Sequence, residues 1–332
     1  MSNNRLFPTM VFFFCCLIII LIPGLAKAGD SPLQKVTFIP QWVPQAQFAG
    51  YYVALETGIY QKYGLDVTII SGGPHRSSAD YLKDKKADFA SFWLATGLEL
   101  CNRGVPVVNL AQIVQRSALM LIAKKKNGIF KPGDMEGHKV GLWGPPFDVQ
   151  PKIFFKQYGL TIKPVRQSYS INLFLRDGVT IASAMWYNEY HRIINAGIDP
   201  DELTTFFFSD HGLNYPEDGI YVRQQTWQQK PELCRAFVNA SLQGWQRAFA
   251  EPKLALDIVM HNLKKAHVIT NRAHQEWMLK RMRDIILPPD SRKKMGSLNK
   301  EDFQRVVDGL VKQEIIKKAP PFQVFYQNVA GE

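Results

Sequence analysis

Aromatic, amide and acidic side chains recur at the ends of predicted strands, where they could bind a small ligand. Flat rings bury a large area and stack on planar molecules, whereas amides and carboxylates form hydrogen bonds at the edge of a ring. This combination favours a planar, nitrogen-containing molecule that is uncharged or cationic. The candidate residues are Trp42, Gln45, Phe48, Tyr51, Trp93, Trp143, Phe147, Tyr187, Asn188, Glu189 and Asp210.

Each candidate also has a purely structural interpretation. Trp93 could belong to a protein core at the end of its strand, and Phe48 and Tyr51 could pack the helix in which they lie. Glu189 could serve only its own helix, because an acidic side chain stabilises a helix N-terminus. Asp210 could cap a loop. The sequence leaves both interpretations open.

Motifs typical of enzymes and of metal sites are absent from the sequence. It contains no HExxH, no GxSxG and no GxxxxGK[ST], and its seven histidines do not have the spacing of metal ligands. We therefore expect a protein that is not an enzyme and that uses no metal and no cofactor.

The charge of the chain is basic but dispersed. Forty Lys and Arg residues against 29 Asp and Glu residues give a net charge of +11, and the densest run is only Lys124–Lys126. Nucleic acids are bound by positive charge that is clustered on one face. We therefore expect no nucleic acid partner.

The first 28 residues have the pattern of a cleavable secretory signal. Arg5 precedes the apolar run Met10–Ile22, and Ala26-Lys27-Ala28 supplies the small residues of a cleavage site. As a helix the run would rise about 20 Å, which is too short for a hydrocarbon core of about 30 Å. We expect a signal peptide over residues 1–28 and a mature protein in the periplasm. An uncleaved signal anchor is the alternative.

Strands and helices alternate along the rest of the chain. The alternation extends from Val36 to Ala123 and begins again near Gly137. After the strand Gly219–Arg223 only helices are predicted. A chain of 332 residues with 46% hydrophobic composition can bury more than one core. The alternation predicts an α/β fold of two doubly wound, mainly parallel lobes with a hinge, and with C-terminal helices that pack on lobe one.

The predicted boundaries assign residues 29–124 and 221–332 to lobe one and residues 125–220 to lobe two. Ligands of open α/β sheets bind outside the carboxyl ends of the strands. The candidate residues are therefore expected to meet in a cleft between the lobes.

The segment Trp42–Ala54, of sequence WVPQAQFAGYYVA, together with Gly58-Ile-Tyr and Gly64-Leu-Asp-Val, resembles the NMT1/THI5-like family. The similarity extends from about Val36 to Val222. Bacterial members of the family are periplasmic substrate-binding proteins of ABC importers, with a type II periplasmic-binding-protein fold that closes around a small molecule. The resemblance implies a ligand such as a thiamin pyrimidine precursor. We expect a monomer that meets this ligand and an ABC permease in the inner membrane.

Fungal relatives in that family are instead synthases, which build the thiamin pyrimidine from pyridoxal phosphate and one of their own histidines. Here Phe92 stands where they carry a cofactor-binding lysine, and Thr96 stands where they carry the donor histidine. Their glycine-rich phosphate loop falls on Gly144–Phe147, where two prolines have no N–H to donate. These differences argue against the synthase and against a phosphorylated ligand. A periplasmic sensing module with the same closure is the other alternative to transport.

Overall fold

The computed structural model describes Met1 and residues 32–145, 147–288 and 294–329. The predicted signal sequence and its cleavage site lie outside the described residues, as does Pro146. Among the residues described, no helix is both long enough and apolar enough to cross a bilayer.

The strands of the described chain form two five-stranded mixed sheets. They are β1 (Gln34–Ile39), β2 (Leu65–Ile69), β3 (Phe89–Trp93), β4 (Val107–Gln112), β5 (Leu119–Lys124), β6 (Lys139–Leu142), β7 (Lys163–Arg166), β8 (Ile181–Met185), β9 (Leu203–Phe207) and β10 (Asp218–Arg223). The first sheet has the order β2-β1-β3-β10-β4 and the second the order β7-β6-β8-β5-β9. Each sheet, with the helices around it, makes one lobe.

Helices connect and cover the strands. They are α1 (Ala49–Glu56), α2 (Ile59–Lys62), α3 (Ser78–Lys83), α4 (Leu94–Asn102), α5 (Val149–Gln157), α6 (Asn172–Leu175), α7 (Glu189–Asn195), α8 (Gln224–Gln229), α9 (Pro231–Ala250), α10 (Pro252–Lys265), α11 (Arg272–Ile286), α12 (Lys300–Lys312) and α13 (Phe322–Phe325). Helices α9 and α10 pack on α1, and α12 packs on α4. The predicted α/β fold, with its C-terminal helices on lobe one, is confirmed.

One strand in each sheet runs against the others in a way that the sequence did not predict. Strand β10 is antiparallel to β3 and β4, and β5 is antiparallel to β8 and β9. Both strands follow directly on a crossing between the sheets, and neither crossing contains an α-helix; the one before β10 holds only the 3₁₀ turn Phe208–His211. Strand β1 is parallel to β2 and β3, and β6 is parallel to β7 and β8, as expected for βαβ units.

The chain crosses between the sheets earlier than the predicted boundaries. The crossings lie between β4 and β5 and between β9 and β10, because β5 belongs to the second sheet and β10 to the first. The buried carboxyl of Glu217 ties them together, accepting hydrogen bonds from the Ala118 N–H at 2.6 Å and from Ser117 Oγ at 3.2 Å. Burial raises the pKa of Glu217 to about 8.

The predicted helix over residues 46–63 is broken into three pieces. A 3₁₀ turn, Ala46–Phe48, precedes α1, and Gly58 with a φ of 69° separates α1 from α2. A left-handed φ suits glycine, which has no Cβ to clash with the backbone. The 3₁₀ turn matters because it places the amides of residues 45 and 47 at the end of the first sheet.

Candidate ligand-binding site

A cavity of about 460 Å³ lies where the carboxyl ends of strands from the two sheets meet. The segments that follow β1, β3, β6, β7 and β8 all contribute to its lining. This is the position at which α/β sheets bind their ligands. Most of the predicted site residues line it, namely Trp42, Gln45, Trp93, Trp143, Phe147, Tyr187, Asn188 and Glu189.

Aromatic rings from both lobes meet in the cavity. Phe147 of lobe two lies edge-on to Trp93 of lobe one, with ring centroids 4.8 Å apart and an interplanar angle of 81°. Trp42 and Trp143 lie at 6.4 and 6.2 Å from the same phenyl ring. A planar ligand held between these rings would therefore contact both lobes.

The lobe-one side of the cavity carries a chain of buried polar groups. Gln45 Nε2 donates to Gln47 Oε1 at 2.6 Å, and Gln47 Nε2 donates to Asp218 Oδ2 at 3.0 Å. Asp218 stands opposite Trp93 in the register of β10 and β3. Burial raises the pKa of Asp218 to about 7, although the hydrogen bond from Gln47 opposes the shift.

Two polar atoms beside this chain are buried without a partner among the described residues. They are Trp93 Nε1 and Asp218 Oδ1. A buried donor or acceptor that lacks a partner costs about 1–3 kcal/mol, so such atoms are uncommon unless something else satisfies them. Of the two residues, Trp93 lines the cavity.

Glu189 supplies a carboxyl group on the lobe-two side. It is the first residue of α7, where it accepts hydrogen bonds from the Met185 N–H at 3.0 Å and from Asn188 Nδ2 at 2.8 Å. Only 3% of the residue is exposed, and burial raises its pKa to about 7 despite these hydrogen bonds. The group can therefore change its charge near neutral pH.

A histidine pair lies just behind Asn188. His274 of α11 places its Nε2 at 3.1 Å from Asn188 Oδ1 and its Nδ1 at 2.9 Å from Nδ1 of His191 on α7. The ring of Trp277 stacks on His191 with centroids 4.7 Å apart. Helix α11 is itself joined to lobe one, because Gln275 Oε1 accepts a hydrogen bond from the Ala46 N–H at 2.7 Å. The histidine pair thus connects the two lobes.

Three predicted site residues lie elsewhere. Phe48 is 1% exposed and packs in the core, and Tyr51 lies between Phe38 and Trp245 with ring centroids 4.6 and 5.8 Å away. Both point inward from the 3₁₀ turn and α1, away from the cavity lining. Asp210 is exposed and pairs with Arg116 at 3.2 Å. The core interpretation accounts for Phe48 and Tyr51, whereas Asp210 forms a surface ion pair.

Several lining residues were missed from the sequence. Arg166 is the last residue of β7, and Ser168 and Tyr169 follow it. The pattern of the sequence predicts this strand over Val165–Tyr169, which extends past its observed end, so the three residues were placed inside the strand instead of at its carboxyl end. Asp218, which contacts the lining residue Gln47, could not be found from strand ends, because β10 is antiparallel to β3 and Asp218 is its first residue.

Two α/β lobes that are crossed twice by the chain and meet at an aromatic cavity have the architecture of the periplasmic binding proteins. The aliphatic sulfonate-binding protein SsuA of Escherichia coli superposes with a TM-score of 0.69 at 12% identity, covering 90% of this chain and 94% of that one. This likeness shows the fold.

The chain belongs to the NMT1/THI5-like family, whose model matches residues 45–255. Among its relatives, the riboflavin-binding protein RibY of Chloroflexus aurantiacus is 24% identical over 262 residues, which cover 73% of this chain and 70% of the relative. The formylaminopyrimidine-binding protein of Halalkalibacterium halodurans is 21% identical over 292 residues, covering 85% and 86%. The family predicted from the segment that begins at Trp42 is confirmed.

Proposed function

We propose that this protein is the extracytoplasmic solute-binding protein of an ABC importer and that it binds a planar nitrogen heterocycle, such as an aminopyrimidine. The observation that carries the proposal is the interlobe cavity, which is lined by the rings of Trp42, Trp93, Trp143 and Phe147. Trp93 Nε1 is buried and has no hydrogen-bond partner among the described residues. Relatives named for binding riboflavin and formylaminopyrimidine support a ligand of this kind.

Each side of the cavity has a distinct role in this proposal. Trp42, Trp93 and Trp143 flank the heterocycle, and each ring contact contributes about 1 kcal/mol beyond its buried area. Trp93 Nε1 donates to a ring nitrogen or carbonyl. Glu189 accepts a hydrogen bond from an exocyclic amine. Because the ligand contacts both lobes, it binds the closed form preferentially and raises its population, which is the form a permease would engage.

We propose no reaction for this site. Phe92, at the position of the synthases' lysine, is 1% exposed and stacks on Tyr221 with centroids 4.1 Å apart. Its side chain offers no amine for a cofactor. The proposal also includes a periplasmic location, export by a signal over residues 1–28, and a monomeric state.

Calorimetric titration of the purified protein tests the proposal. The probes are 4-amino-5-hydroxymethyl-2-methylpyrimidine, riboflavin and ethanesulfonate. We expect at least one heterocycle to bind with a stoichiometry of one and a negative heat-capacity change, because apolar surface is buried. Binding of ethanesulfonate alone, or of none of the three, would overturn the proposed ligand class.

A further inference from the structure

One cation in the cavity lining has no partner among the described residues. Arg166, the last residue of β7, lines the cavity together with Trp143 and Gly144, and it is exposed. Its guanidinium forms neither a hydrogen bond nor an ion pair with any residue that the structure describes. Among the printed contacts, the two carboxyl groups near the cavity do not contact Arg166: Glu189 accepts from Asn188, and Asp218 accepts from Gln47.

The position of Arg166 explains why residue 144 is a glycine. A Cβ atom added to Gly144 would overlap the Arg166 guanidinium. Gly144 does not have a left-handed φ, so its backbone conformation does not require glycine. The absence of a side chain at position 144 is therefore what leaves room for the guanidinium beside this residue.

An arginine in this position is suited to a negatively charged group. The guanidinium is always charged, and its planar array of donors matches the oxygens of a carboxylate, sulfonate or phosphate. When the lobes close, water is removed from around the group, and a cation without a partner is then disfavoured. An anionic group on the ligand would replace the lost water and complete the hydrogen bonds.

We propose that the heterocycle carries an anionic substituent and that Arg166, held against Gly144, binds that substituent. The inference rests on the proposed function and names the ligand class more closely. It revises the expectation of an uncharged or cationic ligand. The two prolines of the loop at residues 144–147 argue only against an anion bound by backbone N–H groups. In this proposal the donors belong to the side chain of Arg166.

The test compares ligands that share one ring and differ in charge. The first set is 4-amino-5-hydroxymethyl-2-methylpyrimidine, its 5-carboxylate analogue and its phosphate monoester; the second is riboflavin and its 5′-phosphate. Each is titrated by calorimetry into the wild-type protein, Arg166→Met, Gly144→Ala and Arg176→Met. Arg176 is exposed on the same lobe and does not line the cavity, which makes it the matched control.

We expect an anionic member of one set to bind the wild type at least about tenfold more tightly than its uncharged counterpart. The preference should disappear in Arg166→Met and shrink in Gly144→Ala, persist in Arg176→Met, and weaken at high salt. Comparison of the carboxylate analogue with the phosphate monoester shows which of the two anionic groups the site prefers.

Two outcomes overturn the inference and leave the proposed function standing. They are equal binding of charged and uncharged ligands to the wild type, and a preference that survives in Arg166→Met. Failure of every heterocycle to bind the wild type would instead overturn the proposed function itself.

Discussion

At the scale of single residues, the unpaired indole N–H of Trp93 has opposite effects on stability and on ligand binding. In the protein without ligand, Nε1 is buried and has no partner among the described residues. Such a donor destabilises the folded state by about 1–3 kcal/mol. In the complex it would gain a hydrogen bond to the heterocycle.

We therefore predict that Trp93→Phe weakens heterocycle binding by about two- to tenfold, the net value of one hydrogen bond, while thermal stability stays equal or rises. Calorimetry and thermal unfolding measure the two quantities. The control is Trp227→Phe, which makes the same change at a half-buried tryptophan of α8. A variant that loses stability and binds normally would mean that Trp93 is only a core residue.

The charge of Glu189 predicts how binding depends on pH. Burial raises its pKa to about 7, so the carboxylate that accepts from an amine is fully present above this pH and is lost as the pH falls through it. For a ligand that does not titrate between pH 5.5 and 8, Kd should rise by up to about tenfold per pH unit below 7. Calorimetry over this range should show a flatter profile for Glu189→Gln. An equal slope in the variant would exclude Glu189 as the titrating group.

Individual site residues could be predicted where the end of a parallel strand was located correctly. Trp93, Trp143 and Glu189 were found in this way, because the carboxyl ends of such strands meet at one edge. Phe48 and Tyr51 share the residue type of a ligand wall, and only the local turn decides which way they point. Arg166 was missed because the predicted strand, Val165–Tyr169, continues past the observed end of β7 at residue 166.

At the scale of secondary-structure elements, the crossing of α1 and α9 depends on two glycines. A Cβ atom added to Gly50 would overlap the indole of Trp245, and one added to Gly244 would overlap the backbone oxygen of Gly50. We predict that Gly244→Ala lowers the free energy of unfolding by about 1–3 kcal/mol through overpacking. Urea denaturation measures the change. Gly133→Ala, where a Cβ would meet nothing within 4 Å, should have little effect; equal losses in both variants would contradict close helix packing.

The contact of α7 with α11 predicts a response of the lobes to acid. The Nδ1 atoms of His191 and His274 are 2.9 Å apart, which leaves room for one shared proton and not for two. Burial, His191 and Arg192 lower the pKa of His274 to about 4. The contact is therefore fully formed above the ordinary histidine pKa of about 6.5 and is lost as the pH falls toward 4.

Around the pair, the other charged or titratable side chains include Arg192 on α7, His267 before α11, and Arg281, whose guanidinium lies 4.9 Å from the centre of the Trp277 ring. Glu189 is joined to the pair only through Asn188, so the described contacts place no carboxylate directly on either imidazole. We predict that acidification from pH 7.5 to 5 increases the radius of gyration of the ligand-free protein, measured by small-angle X-ray scattering. His191→Phe should abolish the response, and the exposed His261→Phe should keep it. The same increase in His191→Phe would exclude the pair as its cause.

The order of elements could be read from the sequence, but the direction of two strands could not. Hydrophobic alternation marks β5 and β10 as strands, yet it contains no information on the sheet to which a strand belongs. That choice depends on long-range contacts such as the bonds of Glu217 to residues 117 and 118.

At the scale of the whole molecule, the two lobes contribute complementary parts of one site. Lobe one supplies Trp42, Trp93 and the buried amide of Gln47, and lobe two supplies Phe147 and Glu189. Neither half surrounds a ligand alone. The two-lobed fold could be predicted from the repeated α/β alternation and from the segment after β1, whereas the cavity depends on how the lobes close.

Native mass spectrometry tests most directly whether this molecule binds a planar heterocycle without changing it. The account predicts a 1:1 complex of the wild-type protein with an aminopyrimidine or a flavin, from which the ligand is released with its mass unchanged, and a weaker complex for Trp93→Phe. No complex with any heterocycle, or a released ligand of altered mass, would contradict it.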